Sequence, residues 1–126
     1  MKGLMFLLFV YQEQGFKSGV LSVSFHPSGR VIAAGGADYK LILFTSYIED
    51  YDKAIQYKGM FEDVKSFGEP IFSILTTSWV EAVGWSPSGD EFAFTSTILR
   101  KCFIFFCRPL FNLDNMQNAK KIRILA

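Results

Sequence analysis

Few residues in this chain could do chemistry, and their types and spacing decide how far that goes. His26 is the one histidine; as a general base it would need a nucleophile within hydrogen-bond reach and a carboxylate to orient it. Nothing around "SFHPSGR" supplies that set, and the adjoining Pro27 makes His26 read as a turn residue. Asp38 could ligate a cation, yet no Asp-x-Asp or histidine partner lies near it, and its carboxylate suits the backbone N–H groups of a tight turn. Cys102 and Cys107, with a single histidine, are too few for structural zinc. Their apolar surroundings disfavour thiolate, so both read as inert core. The stretch "AAGGAD", from Ala33 to Asp38, lacks the lysine and the following helix of a phosphate loop. These residues predict no enzyme, no metal and no cofactor.

The elements that would position them are strands. Half of the 126 residues are hydrophobic and 14 are Phe, enough for one ordinary domain core. Net charge is +1, which gives no electrostatic reason to expect nucleic acid or a membrane as partner. Two thiols do not make a secreted disulfide framework, so a reducing setting is the simpler reading. "MKGLMFLLFVYQEQ" imitates a secretory signal but lacks a small-x-small cleavage pattern, and its apolar run is far below the ~20 residues of a membrane helix. It reads as a strand of a preceding unit or a non-native start.

Val20 to Phe25 alternates, His26-Pro27-Ser28-Gly29 forms a turn, and Val31 to Gly36 makes a second strand. After a turn at Ala37 to Lys40, Leu41 to Phe44 is apolar at every position and must be covered on both faces. Sixty positions on, the hairpin returns: Val20 pairs with Val80, Val23 with Val83, Phe25 with Trp85, Pro27 with Pro87, Ser28 with Ser88, Gly29 with Gly89 and Ala33 with Ala93. Further strands are expected at Ile71–Leu75, Trp79–Trp85, Glu91–Thr95 and Cys102–Cys107. The charged stretch between them is expected to be surface loop, with at most a helical turn at Phe61 to Val64.

A repeated unit of short antiparallel strands predicts an all-β fold, a β-propeller fragment of four-stranded blades. It resembles a degenerate WD repeat. Gly15 holds the template's Gly place, Phe16 stands where its His belongs, Asp38 is its turn Asp, and Phe44 and Thr45 stand where Trp-Asp would be. The expected organisation is an apolar segment at 1–14, a WD-type blade at 15–48, a long surface loop at 49–70, an incomplete second blade at 71–97 and a divergent segment at 98–126. The turns rest on Asp38, Pro27, Gly29, Pro87 and Gly89, and the blade core on Val23, Phe25, Phe44, Val83 and Trp85. Two blades alone would leave Leu41 to Phe44 and the strand edges exposed. The chain is therefore read as a piece of a larger ring.

Phe44, Ser46, Tyr47 and Ile48, then Phe67, Gly68 and Glu69, then Trp79, Val80, Val83, Ser86, Ser88 and Gly89 follow one another in order. In that order they resemble the WD-repeat subunit 1 family of the actin-related protein 2/3 complex, over residues 19–96. The resemblance implies a non-catalytic scaffold in the cytoplasmic actin cytoskeleton. Sibling subunits would be its partners, with actin filaments indirectly, in nucleation of branched filaments. Tyr51, Tyr57, Met60 and Phe61 on the charged loop are the candidate partner contacts, because aromatic and Met side chains on loops are common anchors. The alternatives are a WD-repeat adaptor of another complex, or a small secreted or membrane-linked protein if residues 1–11 are a signal.

Overall fold

The computed structural model describes residues 19–55, 57–108 and 122–125. The expectations for residues 1–14, for Gly15 and for Phe16 lie outside the described residues. Strands β1 (Val20–Phe25), β2 (Val31–Gly36) and β3 (Lys40–Ser46) form a meander. Then come a single helical turn α1 (Glu49–Asp52) and strand β4 (Phe67–Leu75). Strands β5 (Ala82–Trp85), β6 (Phe92–Ile98), β7 (Lys101–Cys107) and β8 (Ile122–Leu125) follow. They make two four-stranded antiparallel sheets, ordered β1-β2-β3-β4 and β5-β6-β7-β8.

The two turns spaced sixty residues apart are built alike. Gly29 N–H donates to the His26 carbonyl at 2.7 Å, and Gly89 N–H to the Ser86 carbonyl at 2.9 Å. Beyond each turn the strands close with His26 N–H to Val31 O and Ser86 N–H to Glu91 O, both at 2.8 Å. Gly29 and Gly89 sit at φ 72° and 78°, the left-handed region that penalises any Cβ. Pro27 and Pro87 start these turns with φ already fixed.

Three boundaries differ from the sequence reading. Ile71 to Leu75, placed with the second blade at 71–97, closes the first sheet instead. Its strand begins at Phe67 and pairs with β3 from Ser46↔Phe67 to Lys40↔Leu75. The stretch 49–70 is accordingly not all loop: α1 starts it, where Ile48 N–H donates to the Asp52 carboxylate at 2.7 Å, and β4 ends it. Nor is the second sheet incomplete, since residues within 98–126 supply β7 and β8. The strand expected at Cys102–Cys107 is β7, and Leu99 and Arg100 close its hairpin with β6 in a two-residue turn with φ 51° and 65°. That conformation favours Asn-Gly, and neither residue announces it.

The core lies between the sheets. Val31, Ala33, Leu41 and Leu43 of the first sheet pack with Phe92, Phe94 and Cys107 of the second, together with Val80 and Phe61. Ile32, Ala34, Ile42 and Phe44 form a cluster on the other face of the first sheet. Leu41 to Phe44 is thus buried on both faces, and the exposure of that strand expected for a pair of blades does not occur. Each such fully buried side chain contributes roughly 1.5–3 kcal/mol before its ordering cost. Gly35 is set by close approach: a Cβ there would collide with the Val80 side chain, which seats on β2 through Val80 N–H to Gly36 O at 3.0 Å. Replacing Leu99-Arg100 by Asn-Gly should raise the unfolding free energy by about 1–2 kcal/mol, since non-glycine residues pay that scale of penalty in the left-handed region. Urea denaturation of the double variant checks it.

Candidate functional site

The residues of interest converge where the two inner strands meet. Ser22 and Ser24 project from β1 toward β5, and their hydroxyl oxygens accept N–H bonds from Val83 (3.1 Å) and Trp85 (3.3 Å). The Trp85 indole N–H donates to the Ser24 carbonyl at 3.1 Å. The alternating serines of β1, which look in sequence like a solvent face, therefore terminate the neighbouring sheet's edge. The sixty-residue repeat held a signal: the matching positions, Ala82 and Gly84, are not serine.

Beside this seam lies His26, 1% exposed. Its Nδ1 accepts the Ser28 N–H at 3.1 Å and lies 2.8 Å from the Ser28 hydroxyl. Its Nε2 lies 3.0 Å from the Gly89 carbonyl, an acceptor only, so this nitrogen holds the proton. Tyr57, Phe61 and Trp85 surround the ring edge-on, with centroids at 5.7, 4.9 and 4.8 Å. Burial pushes the His26 pKa down, against smaller upward pulls from the Gly89 carbonyl and Asp90. Beyond its turn role, His26 joins one sheet's turn to the other's, and the sequence hint was its place where the second repeat has Ser86. Gly89 is required twice over, since a Cβ there would strike the imidazole.

The loop before β4 is held on the same joint. Arg30, nearly buried, donates from Nη1 to the Val64 carbonyl at 2.7 Å and lies 4.7 Å over the Tyr47 ring. Thr45, in the template's Asp place, accepts the Glu69 N–H at 3.0 Å. Of the four expected partner contacts, Phe61 is a core residue, 7% exposed, because its ring plugs the gap between His26 and Trp85. Met60 is half-buried against the same core, and Tyr57 lies on His26 with its phenol pKa raised by burial and then by Asp90. Tyr51 alone of the four is exposed, at 46%, on α1 beside an open hollow of about 740 Å³ lined by Glu49, Asp50, Lys53 and Ala54.

The other expected positions are placed as follows. Phe44 is buried; Val23 and Phe25 are half-buried on its cluster, and Val83 and Trp85 half-buried on the core between the sheets. Asp38 lies in the β2–β3 turn. Cys107 is buried, its thiol pushed up to about 12 by desolvation. Cys102 is exposed, which corrects its reading as core: five residues along a strand reverses the facing side. Among the described residues no group of three or more His, Cys, Asp or Glu is placed to hold a metal, and no helix is long and apolar enough to cross a membrane.

The joint is built of packed rings and hydrogen-bonded backbone. The WD40 family model (WD domain, G-beta repeat) matches residues 7–45, starting ahead of the expected boundary at residue 15. A solved structure of Chaetomium thermophilum Sqt1, bound to the N-terminus of the ribosomal protein L10, superposes with a TM-score of 0.57 at 21% identity, over 92% of this chain and 23% of that one. The chain carries a WD repeat, and its two sheets are of the WD-repeat propeller type. Among curated proteins it is similar to actin-related protein 2/3 complex subunit 1A of Arabidopsis thaliana, 35% identical over 79 residues, 62% of this chain and 21% of that protein. It is also 35% identical over 85 residues to subunit 1B-A of Xenopus laevis (67% and 23%). With subunit 1 of Schizosaccharomyces pombe it shares 33% over 82 residues (65% and 22%). The chain spans about a fifth of the length of these relatives.

Removing the seam's acceptors should cost stability without changing the fold. Ser22→Ala and Ser24→Ala are each expected to lower the unfolding free energy by about 1 kcal/mol, because each strands an N–H of β5. Chemical denaturation of the two single variants, with the β-sheet circular dichroism of the native state unchanged, checks this.

Proposed function

We propose that this chain belongs to a non-catalytic scaffold, a subunit-1-type component of an actin-nucleating complex. The observation that supports it most is the 35% identity to such subunits over 79 residues. The geometry is in keeping with a scaffold: its one histidine is buried and engaged between turns, and its polar side chains fix backbone. In this reading the two blades pack as part of a ring, sibling subunits bind its surface, actin filaments are engaged indirectly, and the protein works at the cytoplasmic actin cytoskeleton.

The partner-facing patch we assign to α1 and its hollow, with Tyr51 as the anchor and Tyr57 and Met60 at the margin of the joint. Exposed aromatic side chains on loops are efficient anchors because they bury large area at low entropic cost. Phe61 serves the core instead.

Affinity purification of the tagged gene product tests the reading. Recovery of the actin-related subunits is expected, and recovery of an unrelated assembly without them would move the protein to the adaptors of other complexes. Tyr51→Ala should weaken recovery at least about tenfold, the ~1.4 kcal/mol scale of a modest anchor, with no change in thermal midpoint.

A further inference from the structure

The joint is centred on one ionisable side chain, His26. His26 contacts both turns and the loop at once: Ser28 on its own turn, Gly89 on the β5–β6 turn, and Tyr57 and Phe61 on the loop. The Ser28 N–H contact requires neutral imidazole with its proton on Nε2, while the Gly89 contact is open to either charge state. Nδ1 must accept, because the Ser28 N–H points at it from 3.1 Å. The Ser28 hydroxyl accepts the Arg30 N–H at 3.1 Å and lies 2.8 Å from Nδ1. A second proton, on Nδ1, would face the Ser28 N–H donor to donor and leave a buried amide without its acceptor. It would also put a charge at a position 1% exposed, where desolvation is costly.

We propose that His26 is a proton-operated latch: neutral, it clamps the Tyr57–Val64 loop and the two turns together, and on protonation it releases them. This rests on the joint alone and goes beyond the scaffold reading. The surrounding groups set its balance. Asp90, on the β5–β6 turn, favours the charged form. Tyr57, on the loop, is neutral near pH 7, its phenol pKa being raised further. Arg30, on His26's own turn, directs its guanidinium to Val64 and Tyr47. Trp85 and Phe61, from β5 and the loop, contribute uncharged rings. Burial outweighs the Gly89 carbonyl and Asp90 together, so the folded pKa lies below the ordinary 6.5. The unfolded chain then takes up a proton before the folded one does. The latch is fully set above about pH 6.5 and weakens as pH falls toward the folded value. Over that window the released population rises by up to ~10-fold per pH unit. Release frees the Phe61 ring and the Met60 side chain, turning core into contact surface.

Because His26 is the chain's one histidine, its ring protons can be followed by NMR in the full chain without ambiguity. The latch predicts a midpoint below 6.5, with the Tyr57 and Phe61 ring signals shifting along the same curve. Asp90→Asn should move both midpoints to lower pH, and His26→Gln, which can still donate to Gly89, should abolish the pH dependence of the loop signals. A midpoint at or above 6.5, or loop signals that stay fixed while His26 titrates, overturns the proposal. So does an unchanged loop titration in His26→Gln. Should that variant fail to fold, the Asp90→Asn shift decides.

Discussion

The structure depends on how the edge of a four-residue strand is finished. β5 has β6 on one side, and its opposite edge would present unpaired N–H groups at the centre of the molecule. A buried, unpaired amide costs on the order of 1–3 kcal/mol, enough to loosen a small two-sheet core. Ser22 and Ser24 of β1 meet that demand with side-chain oxygens, since strands of different sheets do not share a ladder. The same approach brings Val80 onto Gly35 and Gly89 onto His26, so the absence of Cβ atoms at these glycines belongs to the same constraint. With the inner strands fixed, the apolar faces of β2, β3, β6 and β7 close on one another.

Much of this was legible in sequence, and what was not has physical causes. The two turns were readable because Pro and Gly act locally: Pro fixes φ, and Gly tolerates φ near 75°. The apolar strand Leu41–Phe44 was readable as doubly covered because no alternation interrupts it. Sheet membership of Ile71–Leu75 was not, because a strand preceding a hairpin can pair forward or backward, and nothing local distinguishes the two. The strand at Cys102–Cys107 was readable, but its pairing with β6 was hidden by a hairpin turn of Leu and Arg, residues that adopt positive φ only under tertiary constraint.

At the candidate site the same division holds. Types that suit an interface, such as Tyr51 and Phe61, look alike in sequence, but one lies on α1 in solvent and the other completes a ring cluster around His26. The linking roles of Ser22, Ser24 and His26 were not legible locally because their partners lie 61 and 63 residues away. Long-range polar pairing has no sequence period; only a comparison of the two repeats, position by position, exposes Ser against Ala or Gly and His against Ser. The molecule so described is a joint between two propeller-type sheets with a charged loop fastened across it, and its polar chemistry is spent on holding that joint.

Native-state hydrogen exchange of the Val83 and Trp85 amides tests this most directly. If Ser22 and Ser24 finish the edge of β5, both amides will exchange only through global opening, with protection equal to that of Ala33 in the centre of the first sheet. Exchange of Val83 and Trp85 at the rate of an open strand edge, while Ala33 stays protected, would contradict the account.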